Sequence, residues 1–365
     1  MGPRHPVERN VNLAGAEQRA AAFIPSAPPR VVDDVYTAEQ IDGLLKAVRA
    51  GPPRRLLTAE LFASAEELMI ATSGAVADGI SLDAFLDPMF RGDLGQHGTS
   101  FHPAADAVLY SEKLLNWARA YRNTDYVCAR QLHFNVASPM KCSDPGHYDS
   151  PSFRGLSHTN TPIWLLSVMA NSRLFEDFKS KMVAVVTWFW RGSEHGGFTY
   201  WPDGAGKAPQ RIAAPLWNRG IVAENEAMFH RGESVGLPDA WGVAGLTFES
   251  VFEGDPDDAS RWQMRTGDTV IRRFATEELR WLFHWTALTF VDYEDFRRHV
   301  DHRDDLSHDR VFDTLLDDLR GQGLSLECPS DPLNDHAFKM TLLRNYEIGS
   351  PQIYPAEAPV FRVAA

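Results

Sequence analysis

Cysteine is scarce in this chain: Cys128, Cys142 and Cys328 are the only three in 365 residues, and none forms a C-x-x-C pair. So odd and sparse a set argues against a disulfide framework and against a structural zinc knuckle. Long apolar runs are missing too. Polar residues break every hydrophobic patch well short of the roughly 20 residues a membrane span needs, and Met1-Gly2-Pro3-Arg4-His5 leads into no apolar stretch of the kind a signal peptide carries. The expected location is the cytoplasm, with reduced thiols and no membrane partner. Basic residues are in deficit, 36 Lys+Arg against 49 Asp+Glu for a net charge of −13. Such a chain is not expected to hold nucleic acid, whose phosphates call for clustered Lys and Arg. There is no internal repeat and no low-complexity block.

What is present reads as a globular enzyme-sized domain. Hydrophobic residues make up 44% and ten are Trp, enough for a sizeable core. Residues 1–30 are rich in Ala, Pro and Arg and read as an N-terminal arm or an extended strap. Residues 31–125 read as a helical region. Thr37 and Gln40 form a candidate capping box ahead of Ile41, Leu44, Leu45 and Val48 at helical spacing. Further helices are expected over 59–70 and 104–121. Between 126 and 275 the texture changes to short alternating or β-branched runs punctuated by Gly and Pro, the pattern of a sandwich or barrel. Met182 to Trp190 and Phe198 to Trp201 are the densest of these runs, and Thr266-Gly267-Asp268 marks a hairpin. From 276 to 365 helices are expected again, the first capped by Thr276 and continuing through Trp281, Leu282 and Trp285, followed by an extended tail.

The chemistry concentrates at Gly146-His147-Tyr148-Asp149-Ser150-Pro151. In extended backbone, residues two apart share a face, so His147 and Asp149 can grip one metal ion. The best third ligand is His230, 81 residues beyond Asp149 in Ala227-Met228-Phe229-His230-Arg231. Two imidazoles and one carboxylate make the facial triad that suits Fe(II) and leaves positions open for a co-substrate and O2. The run Asp301-His302-Arg303-Asp304-Asp305, with His308 and Asp309, is the other acidic and histidine-rich cluster, and charge runs of this kind are usually solvated.

The order strand, H-x-D, strand, Gly-Gly-aromatic hairpin, strand with a single His resembles the Fe(II)/2-oxoglutarate-dependent dioxygenases. It looks most like their prolyl-hydroxylase-like and phytanoyl-CoA-hydroxylase-like branches. The likeness spans roughly residues 126–275. It implies a mainly β fold with flanking helices, an α+β chain around a double-stranded β-helix (a cupin-like jelly roll). It also implies Fe(II) held by His147, Asp149 and His230, with 2-oxoglutarate and O2 as co-substrates and a small-molecule or amino-acid-like substrate oxidised as succinate and CO2 are released. Because Asp149 is present, hydroxylation or desaturation is favoured over halogenation. The family's basic anchor for 2-oxoglutarate, about ten residues past the distal histidine, has no counterpart: residues 236–249 contain no Arg or Lys. Arg265, then Arg261, are the next candidates, as cofactor-binding residues or as surface arginines near a turn. His133 and Asn135 share a strand face and line the pocket or sit as satisfied polar groups in the core. Tyr200 and Trp201 belong to the core or to the substrate wall, and Arg154 holds a substrate carboxylate or a structural ion pair. Two other readings stay open, a cupin-type metalloenzyme that does not use 2-oxoglutarate and an inactive jelly-roll binding protein.

Overall fold

The computed structural model describes residues 19, 21–65, 67–69, 81–348 and 353–355. Most of the N-terminal arm, part of the 59–70 helix and nearly all of the C-terminal tail lie outside them. Fourteen strands are present among the described residues. In chain order they are β1 (Arg30–Asp33), β2 (Arg54–Arg55), β3 (Met89–Gln96), β4 (Thr99–Ser100), β5 (Val127–Ala137), β6 (Lys181–Trp190), β7 (Phe198–Trp201), β8 (Gln210–Ile212), β9 (Leu216–Ala223), β10 (Phe229–Gly232), β11 (Val251–Gly254), β12 (Arg261–Thr266), β13 (Thr269–Ala275) and β14 (Arg280–Thr289). They form three sheets: a large one ordered β1-β9-β6-β14-β5-β3-β4, a small one ordered β10-β7-β8, and a third ordered β13-β12-β11-β2.

The large sheet is buried on both faces, and its sequence shows why. Leu132, Phe134 and Val136 of β5, Val183 and Val185 of β6, and Trp281, Phe283 and Trp285 of β14 point to one side. There they pack with Leu44, Ala47 and Val48 of helix Ala38–Ala50 and with Val108, Leu109, Leu114 and Ala118 of helices Pro103–Leu109 and Glu112–Arg122. The alternate residues, among them Ala137, Ala184, Val186 and Trp188, face the small sheet and meet Phe198, Tyr200, Ile212 and Val235. Period-2 alternation with both sets buried is the mark of a central strand. A separate apolar cluster joins helix Ile163–Ser172 to helices His308–Gly321 and His336–Asn345. No helix among the described residues is long and apolar enough to cross a membrane.

Several expectations hold. Thr37 caps the helix at 38–50 with the reciprocal Gln40 contact. Gly267 and Asp268 form the two-residue turn between β12 and β13, with Gly267 at φ +57. The expected 104–121 helix is two helices, broken at Tyr110 and Ser111. One expectation is overturned. The segment after Thr276 makes a single 3-10 turn and then the ten-residue strand β14, not a helix. Trp281, Leu282 and Trp285 fit a helical stripe, but the competing alternation of Arg280, Leu282, His284 and Thr286 against Trp281, Phe283, Trp285 and Ala287 decides the outcome, because each set has a buried surface to meet. The large sheet therefore takes strands from beyond 126–275 at both ends.

The small sheet carries a buried ion pair that makes a direct stability prediction. The Glu233 side chain is 1% exposed and accepts from Arg211 Nε and Nη2 at 2.6 Å each, and from Thr199 Oγ1 at 2.9 Å. Arg211→Met strands that carboxylate and is expected to cost about 3–5 kcal/mol in urea unfolding. The double replacement Arg211→Met/Glu233→Leu removes the uncompensated charge and should recover most of the loss.

Candidate metal centre

His147 lies outside the named strands, in an extended segment bonded to the edge of the small sheet. Its N–H donates to His230 O at 2.8 Å and its carbonyl accepts from His230 N–H at 3.0 Å. Asp149 N–H donates to Asn225 O at 3.0 Å. The left-handed Gly146 (φ +109) lets this segment approach: a Cβ there would lie 2.4 Å from the Phe229 ring.

This pairing brings His147, Asp149 and His230 together, with one donor atom from each within 4.8 Å of the others. Asp149 Oδ1 sits 3.6 Å from His147 Nε2 and 3.6 Å from His230 Nε2. Ligand atoms held about 2.1 Å from a common ion lie about 3–3.5 Å apart, so only a slight contraction is needed. The far ring nitrogens are fixed as metal sites fix them. His230 Nδ1 donates to Met228 O at 2.8 Å, and His147 Nδ1 donates to Asp144 Oδ2 at 2.9 Å. A carbonyl only accepts, so the proton sits on His230 Nδ1 and the Nε2 lone pair is left for an ion. Burial disfavours charge on His147, but the Asp144 and Asp149 carboxylates outweigh it and raise its pKa to about 10. Burial likewise opposes the charge on Asp149, yet its hydrogen-bond contacts to His147 and His230 hold it well below the ordinary carboxylate range. The donor set fits a divalent cation that takes imidazole and carboxylate.

The triad opens into a cavity of about 260 Å³ between the large and small sheets. Its far wall is β14, where Arg280, Leu282, His284 and Thr286 face inward. None of these four was singled out from the sequence as a site residue, because the segment reads equally well as a helical stripe; the i+2 alternation was the available signal. His284 Nε2 lies 3.6 Å from Asp149 Oδ2 and has no hydrogen-bond partner among the described residues. Burial lowers its pKa to about 4, so it stands beside the carboxylate as a neutral imidazole, 4.5 Å centroid to centroid from the His133 ring. Arg280 is 5% exposed, and burial lowers its pKa to about 10. Its Nε and Nη2 donate to the carbonyls of Gly196 and Gly197 at 2.9 and 3.3 Å, and no ion pair claims it among the described residues.

The remaining candidates divide. His133 and Asn135 line the cavity, His133 bonded through Nδ1 to Arg91 at 3.2 Å and Asn135 with an unpartnered Oδ1. Arg261 and Arg265 do not: they sit on β12 in the third sheet, inserted in the chain between β10 and β14 and packed on the helical side of the large sheet. Arg265 is bound to Glu253 at 2.8 Å. An insertion delays the strand that completes the large sheet, so these two arginines stand away from the cavity. Arg154 is claimed by Asp304 at 2.7 and 2.8 Å, the structural alternative. Tyr200 Oη donates to Gln210, and Trp201 Nε1 to Ile353 O, and neither side chain lines the cavity. In the cluster of 301–309, His302 pairs with Asp305 at an exposed corner.

Asp87, on the cavity rim, supports a second prediction. Burial raises its pKa to about 6, although Ser143 donates to it twice. A carboxyl whose folded pKa is raised stabilises the fold when protonated, and loses that contribution as pH climbs from 3.8 through about 6. Asp87→Asn keeps the Ser143 contacts and is expected to raise the melting temperature at pH 7.5 by about 2–4 °C while flattening its pH dependence between pH 4 and 6.

No known family profile matches the sequence, and no curated protein does. Solved structures similar to this chain are 2-oxoglutarate-Fe(II) oxygenases and prolyl hydroxylases. One is a 2OG-Fe(II) oxygenase family oxidoreductase from Burkholderia pseudomallei, 11% identical, covering 78% of this chain and 93% of its own at a TM-score of 0.33. A prolyl hydroxylase from Trichoplax adhaerens, solved in complex with a hypoxia inducible factor peptide fragment, is 9% identical over 80% and 97% at 0.36. A prolyl 4-hydroxylase from Phytophthora capsici is 12% identical over 94% and 85% at 0.34. Likeness at this level carries no functional weight of its own; the site geometry does.

Proposed function

We propose that this chain is a non-haem Fe(II), 2-oxoglutarate-dependent oxygenase on a double-stranded β-helix, hydroxylating a C–H bond of a small-molecule substrate. The observation that carries the reading is the convergence of two Nε2 atoms on one carboxylate oxygen, each imidazole fixed from behind by an acceptor. His147, Asp149 and His230 hold the metal. When bound, Fe(II) supplies open positions for 2-oxoglutarate and O2 and couples loss of CO2 and succinate to substrate oxidation.

The chain's own residues account for the rest. The delayed β14 lies between β5 and β6, so its inward side chains face the triad across the cavity. Arg280, rather than Arg265 or Arg261, suits the far carboxylate of 2-oxoglutarate: it is a buried guanidinium with no carboxylate in ion-pair contact among the described residues. Neutral His284 faces Asp149 Oδ2, leaving Oδ1 toward the metal. The apolar walls from Val186, Trp188, Phe198 and Leu282 exclude water around the co-substrate.

Anaerobic titration with Fe(II) and 2-oxoglutarate tests the reading. The wild type is expected to develop the weak visible charge-transfer band of the chelate, and Asp149→Ala to lack it. One equivalent of bound Fe(II) with neither that band nor any succinate formed would leave a metalloenzyme that does not use 2-oxoglutarate.

A further inference from the structure

Two more arginines line the cavity, Arg130 on the stretch of β5 far from Arg280 and Arg91 on β3. β14 pairs Thr286 with Gln131 and Ala287 with Ala129, so Arg130 is an extra, bulged residue in β5. A bulge is what allows the adjacent residues Arg130 and Gln131 both to line the cavity, since regular pleating would send one of them outward. Arg91 arrives from the neighbouring strand β3, on which it sits opposite Asn135. Neither guanidinium forms an ion pair among the described residues. Arg91 Nη2 contacts His133 Nδ1 at 3.2 Å, and Arg130 Nη2 donates to Ser152 Oγ at 3.0 Å. Asp93, the acid nearest in sequence to Arg91, is occupied by Gln96 and Gln131 at 2.7 and 3.0 Å. His158 lines the same cavity, its charge suppressed by burial and then by the Arg91 and Arg130 cations. A buried acid in that lining, Glu226, has its pKa raised to about 8 by burial and leaves Oε2 unpartnered.

Two guanidinium groups with no carboxylate in ion-pair contact among the described residues, lining one cavity, offer charge-assisted donors to an anion that enters it. The wall beside them is apolar: Leu57, Leu61, Phe62, Ile163 and Met182. We propose that the substrate is a small organic carboxylate with an apolar body, its carboxylate held between Arg91 and Arg130 and its body lying on the wall of Leu61, Phe62 and Ile163. As a substrate assignment this rests on the oxygenase reading; as a carboxylate site it stands on the unpaired arginines alone. Arg280 serves the co-substrate's carboxylate and this pair serves the substrate's.

Calorimetric titration of the full chain loaded with Mn(II) in place of Fe(II), with and without saturating 2-oxoglutarate, tests the proposal. The probes are hexanoate, 3-phenylpropanoate and N-acetyl-leucine, each beside its neutral primary amide. At least one acid is expected to bind in both states, with its amide weaker by about tenfold or more, as expected for lost hydrogen bonds to charge. Arg91→Leu and Arg130→Leu should each weaken the acid by about tenfold or more while 2-oxoglutarate affinity holds within about twofold. Arg91→Lys and Arg130→Gln, gentler on the fold, should fall between. The proposal is overturned if no acid binds, if acid and amide bind alike, or if Arg91→Leu weakens 2-oxoglutarate as loss of Arg280 does, which would reassign Arg91 to the co-substrate. Failure of the oxygenase reading looks different: the acids still bind, but 2-oxoglutarate neither binds nor yields succinate.

Discussion

Asp149→Asn is expected to abolish stoichiometric Fe(II) uptake, weakening affinity by well over about 100-fold, the upper end of what loss of a mere outer-shell partner costs. The amide keeps the shape of the carboxylate and removes the single negative charge among the three ligands. Asp149 Oδ1 lies 3.6 Å from both Nε2 atoms. Without it the site offers only the two imidazoles, too few ligands for a hard divalent cation. Asp144→Asn makes the graded comparison. Asp144 accepts from His147 Nδ1 at 2.9 Å and from Gly146 N–H at 2.8 Å and is not itself one of the three ligands, so its loss should weaken uptake by about 10–100-fold without abolishing it. Equilibrium dialysis under anaerobic conditions distinguishes the two, and a full equivalent of iron retained by Asp149→Asn would remove the basis of the metal centre. The pH dependence has a definite sign. In the metal-free protein, Asp144 and Asp149 outweigh burial and keep His147 protonated up to about 10, so an incoming ion must displace that proton. Apparent affinity therefore rises with pH, by about tenfold per unit where one proton is exchanged. For the metal-free fold the same shift acts oppositely. The stabilisation from His147 is fully present below its ordinary value of 6.5 and is lost as pH rises through about 10.

The triad was legible in the sequence because its chemistry is written in residue types. A His and an Asp two positions apart, and a lone His on a later β-like run, limit the choice to a few combinations. β7 was legible to the residue, since Phe198-Thr199-Tyr200-Trp201 is bounded by Gly and Pro on both sides. β14 was not. Leu282 blurs the alternation of its polar inward residues Arg280, His284 and Thr286 with Trp281, Phe283 and Trp285, and Trp281, Leu282 and Trp285 satisfy a helical spacing by coincidence. The helical spacing masks Arg280 and His284, and β12 offers no substitute lining the cavity, since Arg265 binds Glu253 and the Gly267 carbonyl. Arg91 and Arg130 were hidden for a different reason. Their importance lies in the partners they lack, and an unpaired cation cannot be seen until the surrounding carboxylates are placed. Arg130 also depends on a bulge, which shifts the pleat by one residue and breaks the alternation on which a sequence reading relies.

Arg280→Leu should leave metal uptake near wild type and raise the 2-oxoglutarate concentration needed for half-saturation by about 100-fold or more, the scale expected when one partner of a buried charge-assisted pair is removed. The prediction turns on where Arg280 sits. It is four residues along β14 from His284, which faces the triad, and successive inward positions are about 6.6 Å apart. Its backbone thus lies about 13 Å along the strand from that of His284. Nε and Nη2 are held by the Gly196 and Gly197 carbonyls, which orient the group before any ligand arrives and spare part of the ordering cost. Those same bonds make the leucine variant a structural risk, since the Gly196 carbonyl loses a donor and the Gly197 carbonyl is left with that of Glu233 N–H. Arg280→Lys addresses this. A lysine restores the charge but not the fork, so it should recover part of the 2-oxoglutarate affinity and little of the orientation. A merely structural role for Arg280 predicts that lysine and leucine both lower the melting temperature and leave the 2-oxoglutarate midpoint of the surviving folded protein unchanged. A carboxylate-binding role predicts a midpoint that moves in the order arginine, lysine, leucine while metal stoichiometry stays at one. The two outcomes separate in a single set of titrations followed by the visible band of the chelate.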